Sequence, residues 1–220
     1  MIIEIPTLIP ILTLILGFAG LGFAIVRWAI DQKRIRQLIS VNVASILEGI
    51  AGQCLSVTYD QGSWNARGGE RFGIDNNETT ISIPTIPIFS DIKSIEYLGR
   101  THLNQLLALA PIHDTIRSYL TDVAEHDFGP YDDFFHDRCI LYAGFGEYVS
   151  RLAREIRHQI DTPGLGKFAN ETGEKLKGQL VNLITASNED KENIKDTYER
   201  VFLPVSESYW PKEADAQEKI

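Results

Sequence analysis

The residues from Ile5 to Val26, IPTLIPILTLILGFAGLGFAIV, contain no charged side chain. At roughly 1.5 Å per residue a helix over this stretch extends about 33 Å, enough to cross a hydrocarbon core about 30 Å thick. Glu4 and Arg27 close it at either end. A cleaved signal peptide calls for a basic start, a shorter apolar centre and small residues before the cut, whereas the charge preceding this segment is acidic Glu4, so the segment is expected to be retained. After it come Arg27, Lys33, Arg34 and Arg36 with Asp31 as the lone acid among them. Short flanks rich in Lys and Arg stay on the cytoplasmic side, which predicts the N-terminus outside and residues 31–220 inside. Trp28 beside Arg27 reads as an interfacial indole at headgroup level, the alternative being ordinary packing. Pro6 and Pro10 fall in the first turns, where a missing amide costs little, and the regular helix is expected to begin near Pro10.

Thr13, Gly17, Gly20 and Ala24 recur at steps of four, three and four, which lines small residues along one face of the helix. Small faces let membrane helices approach closely, so this one predicts pairing with another copy or docking on a different membrane helix.

The 220 residues carry 21 Lys and Arg against 30 Asp and Glu, a formal charge of −9. Setting aside Glu4 and Arg27 removes one of each sign and leaves the body at −9. Such a surface repels phosphate backbones, and with no basic patch in the body a nucleic-acid partner is not expected. The basic cluster after the span is the exception: it faces anionic lipid, although setting topology explains it. About 190 residues remain outside the membrane, enough for one core, and a single domain is the default. Cys54 and Cys139 lie in separate apolar stretches without CxxC spacing and read as small core residues of a reducing compartment.

Ile35, Leu38, Ile39, Ile46, Leu47 and Ile50 keep helical spacing with no break after the span. The membrane helix is therefore expected to run on as a stiff stalk to about Cys54, supplying one wall of the core. Asn42 on that stripe is either a buried register-fixing contact or an edge residue. Between Asp60 and Asn77 glycines and Asx residues mark irregular chain. The near alternation in Leu55–Tyr59 and Thr79–Ile83 suggests a small hairpin around it. Arg67 and Arg71 lie in that loop, yet it lacks the GxxxxGK[ST] order of a phosphate cradle.

Pro84 and Pro87 make Ile83 to Phe89 extended. Ser90 reads as the cap of a helix carrying Ile92, Ile95, Leu98, Leu103, Leu106 and Leu109, which Pro111 ends or kinks. A second helix through Ile116, Leu120 and Val123 is expected to stop at FGPYDD, residues 128–133. The longest helix outside the span should be Tyr131–Ile160, with a wide stripe from Phe134 to Ile160 and with Gly144 and Gly146 admitting a close neighbour. TPGLG at 162–166 stops it. A weaker helix through Leu176, Leu180 and Ile184 follows, then a short one from about Ser187 through Tyr198 to Phe202, and a tail with Tyr209 and Trp210 expected to be mobile.

His126 to Cys139, HDFGPYDDFFHDRC, is the richest stretch for metal ligands. On a helix Asp132 or Asp133 shares a face with His136, but carboxylates at a helix N-terminus are accounted for by capping alone. The doublets His113-Asp114 and His136-Asp137, with His102 upstream, resemble the ligand set of the helical metal-dependent phosphohydrolases named for the His-Asp doublet. That resemblance implies a metal held by these five residues and a further lone Asp, for which Asp190 and Asp196 are poor matches because both read as surface positions. No nucleophile elbow, HExxH or paired catalytic carboxylate adds to it. His158 near Arg154 and Arg157 suits a helix C-terminus.

The sequence thus predicts an all-α chain: a transmembrane anchor over 1–30, a cytosolic helical domain over 31–204 with an irregular loop or hairpin at 55–89, and a tail over 205–220. The leading expectation is a non-catalytic interaction or scaffold module held at a lipid bilayer, alone or as a subunit of a larger membrane complex, with no catalytic, cofactor or metal residue assigned. The alternative is a membrane-tethered hydrolase using His102, His113, Asp114, His136 and Asp137.

Overall fold

The computed structural model describes residues 5–60, 79–93, 95–126, 132–159 and 167–186, together with Lys195, Tyr198 and Phe202. Four long helices dominate: α1 (Ile5–Val57), α2 (Arg100–His126), α3 (Asp132–His158) and α4 (Lys167–Ala186). No strand occurs among the described residues.

α1 is a single helix of 53 residues, because neither glycine nor proline after Pro10 stands where it would interrupt the ladder. It is helical from Ile5, so Pro6 and Pro10 are accommodated rather than excluded from the regular helix. Its second half buries Ile39, Val43, Leu47, Ile50, Cys54 and Val57, a stripe at steps of four and three that faces the bundle. Leu55 to Val57 therefore remain helical, and the expected first strand of a hairpin does not form. The partner flank, residues 79–88, bends at Thr80 and Ile81 and forms no strand. The glycine-rich loop itself lies outside the described residues, as do the break at 128–131, the stop at 162–166, Asp190, Asp196 and the Tyr209-Trp210 pair.

A helix from Ile92 to Pro111 is also not what forms. Two short 3-10 turns, Phe89–Asp91 and Ile95–Leu98, bury Phe89, Ile95 and Leu98. Gly99 then adopts φ +88, a conformation that favours glycine, and turns the chain into α2. α2 runs through Pro111 without ending. Pro111 lies on the exposed side and frees the carbonyl of Leu107, which is itself exposed, so water satisfies what the missing amide leaves open. Over the described residues α2 and α3 are equal in length at 27 residues, and Tyr131 and Ile160, the expected ends of α3, lie outside them.

α3 is the centre of the bundle, packed by α1, α4 and α2. The Sγ of Cys139 lies against the carbonyl of Val57 while Arg157 grips Glu48, so α3 runs antiparallel to α1. His102 reaches Gln159 and Tyr119 reaches Asp137, which sets α2 antiparallel to α3. Gly173 sits beside Ser150 and Leu176 beside Gly146, which does the same for α4. The two α3 glycines are the points of closest approach. A Cβ on Gly146 would lie 2.6 Å from that of Cys54, and one on Gly144 would collide with the Tyr198 ring. Lys195, Tyr198 and Phe202 are helical, with Tyr198 and Phe202 buried and their rings 4.5 Å apart.

Candidate functional site

Two features separate from the packed core: the bare half of α1 and a set of buried polar groups. From Leu14 to Trp28 the large apolar side chains are exposed on every side of α1, including Phe18 (68%), Phe23 (69%) and Trp28 (65%). At about 3.6 residues per turn these positions encircle the helix rather than mark one stripe. Soluble proteins seldom expose more than a few hundred Å² of contiguous apolar surface. Thr13, Gly17, Gly20 and Ala24 are exposed too, and nothing lies within 4 Å of a Cβ built on either glycine. Trp28 makes no core packing, and Asn42 faces solvent, which settles it as an edge residue.

The buried polar groups stitch the bundle. Asp60, just past α1, accepts from Arg138 Nη1 at 2.6 Å and from the Thr80 hydroxyl and the Ile81 amide. Arg138 Nη2 donates on to the Ile81 carbonyl. This cluster ties the end of α1, the returning chain at residues 80 and 81, and α3 at one point. Arg157 makes a two-pronged pair with Glu48, its Nη2 at 2.7 Å from Oε2, and this contact holds the guanidinium even more firmly protonated than usual.

The doublets are not brought to one point. His113 is buried between the rings of Tyr142 and Phe145, with Nε2 3.2 Å from the Tyr142 hydroxyl, whereas Asp114 is exposed. Asp137 accepts from the Tyr119 hydroxyl at 2.7 Å, and His102 lies at the other end of α2 against Gln159. His136 is half-buried, its Nε2 without a hydrogen-bond partner. Among the described residues no three His, Cys, Asp or Glu side chains are placed to hold a metal ion. The side chains of Asp132 and Asp133 lie outside the described residues. His158 is exposed in the last turn of α3.

Cys54 and Cys139 are both buried with free thiols. Burial pushes both up, Cys139 to about 11 with Arg138 opposing and Asp60 assisting, so neither is a thiolate nucleophile. Burial also lowers His113, with the Arg117 charge adding to the effect and Asp114 opposing it. An unfolded chain binds a proton at His113 near the ordinary value of 6.5, while the folded chain resists it. Stability is therefore expected to hold above that value and to fall as pH drops below it. Urea midpoints between about pH 7 and pH 5 measure this, and His113→Gln should flatten the slope relative to wild type.

No family model, characterised protein or solved structure matches the chain. Among the described residues fold and surface together define an all-helical protein with one helix, near the N-terminus, long and apolar enough to span a membrane.

Proposed function

We propose that the chain is a single-pass membrane protein whose span is the bare half of α1 and whose helical body is a non-catalytic interaction module on the cytoplasmic side. The observation that carries this is the change of surroundings along one helix: bare apolar side chains on all sides from Leu14 to Trp28, exposed Ile30, Ile35 and Leu38 beyond them, then a packed stripe from Ile39. A bilayer covers the first half without any protein partner. The basic residues between Arg27 and Arg36 support the cytoplasmic placement of the body. The open face of Thr13, Gly17, Gly20 and Ala24 is where a second copy or another membrane helix would approach.

The chain should stay with membranes through alkaline carbonate extraction, and Phe18→Arg together with Leu21→Arg should release it, since a charge at the centre of a span costs roughly 2.5–3.5 kcal/mol. Extraction of the wild type into the soluble fraction would overturn the reading. Protease added outside intact cells should leave the body whole; digestion of the body reverses the topology. Cysteines placed at Gly17 or Gly20 should crosslink copies, and their failure to do so removes self-association through this face.

A further inference from the structure

We infer that the end of the bundle meeting α1 at Arg36 is a docking surface for anionic lipid headgroups. This rests on the membrane-spanning reading of α1 given above. In that reading the hydrocarbon ends near Arg27 and Trp28. The bundle begins almost at once: Arg36 Nε donates to the Tyr97 carbonyl at 3.0 Å, and Ile39 is already buried. From Arg27 to Arg36 the helix rises about 14 Å, of which the headgroup layer takes roughly 5–8 Å. What is left is about one Debye length at physiological salt, so charges on this end of the bundle feel the membrane surface.

The charges at this end suit that neighbour. Arg27, Lys33, Arg34 and Arg36 are all exposed. At about 3.6 residues per turn Arg27 and Arg34 fall on the outer side of α1, Lys33 on its flank and Arg36 on the side beneath the bundle. Arg100 opens α2 just beyond Tyr97, where it is exposed together with Lys93, and the positive end of the α2 dipole points the same way. Among the described residues Asp31, Asp91 and Glu96, with Glu155 in the last turns of α3, are the exposed acids in this zone, fewer than the six bases. The far part of α2 is acidic, with Asp114, Asp122 and Glu125 exposed against Arg117. A body of net charge −9 is thus repelled by an anionic surface except through the end that α1 presents to it.

The test uses the full chain in nanodiscs of phosphatidylcholine alone or with roughly 30% phosphatidylserine. Thr101→Cys is labelled with a membrane-impermeant maleimide, the native cysteines being buried. Labelling should slow in the anionic discs by about fivefold for each basic side chain docked, and recover in high salt. Thr121→Cys, on the distal half of α2, should label equally in both. Lys33→Glu with Arg34→Glu should abolish the slowing. Equal rates for Thr101→Cys in both discs, or slowing that survives the double charge reversal, overturns the docking surface while leaving the span intact. A chain that inserts into neither disc overturns the span, and the docking surface with it.

Discussion

Arg138→Met should lower the stability of the folded chain by about 3–5 kcal/mol, the effect expected when one member of a buried ion pair is removed and the other is left charged. Both side chains are out of solvent, at 1% for Arg138 and 0% for Asp60. Asp60 then keeps only the Thr80 hydroxyl, the Ile81 amide and any remaining weak contacts to offset a desolvated carboxylate. The Ile81 carbonyl loses its donor at the same time. The double replacement Asp60→Leu with Arg138→Met removes both charges and should regain part of the loss, because the uncompensated charge rather than the missing attraction dominates the single variant. Urea midpoints in detergent measure the series. A single variant within about 0.5 kcal/mol of wild type would show that the pair does not fasten α1 and the returning chain to α3.

The second large effect is steric. Gly144→Val places a branched side chain where the buried Tyr198 ring already lies, and the ring has nowhere to withdraw. The loss of Tyr198 and Phe202 packing is expected to cost roughly 3–6 kcal/mol, at about 1.5–3 kcal/mol for each large side chain returned to water. Limited proteolysis should then cut between Ala186 and Tyr198 much faster than in wild type. Gly146→Ala, against Cys54 Cβ at 2.6 Å and Leu176 at 3.0 Å, should cost about 1–3 kcal/mol as overpacking. Gly178→Ala has nothing within 4 Å and should stabilise by about 0.5–1 kcal/mol through backbone entropy alone. If Gly144→Val were as benign as Gly178→Ala, Tyr198 would not be seated on α3.

What the sequence made legible follows periodicity. The α1 stripe from Ile39 to Val57 and the α3 stripe from Phe135 to Ile156 are apolar at helical steps, and both are buried as that spacing implies. The tight seats of Gly144 and Gly146 follow from the absence of side chains on an otherwise wide apolar face. Where local pattern competes with tertiary context, it loses: Leu55 to Tyr59 alternates like a strand, but Cys54 and Val57 extend the stripe that buries α1, and packing keeps that chain helical through Val57. Pro111, expected to end or kink the helix, stays inside α2 on its exposed face, where it displaces no core side chain. Long-range pairs leave no local trace. Asp60 and Arg138 are 78 residues apart, and Glu48 and Arg157 are 109 apart. The His-Asp doublets do not point as units for a geometric reason, since neighbours on a helix point about 100° apart, which sends His113 inward and Asp114 out.

The continuous helix from Ile5 to Val57 also has a mechanical meaning. Under the membrane-spanning reading proposed above, a rod about 80 Å long with one half in lipid and the other locked into a folded body acts as a lever without a joint. When a thinner bilayer makes the apolar half lean, the body leans by the same angle. Bilayer thickness would thereby be converted directly into the orientation of whatever surface the body offers the cytoplasm.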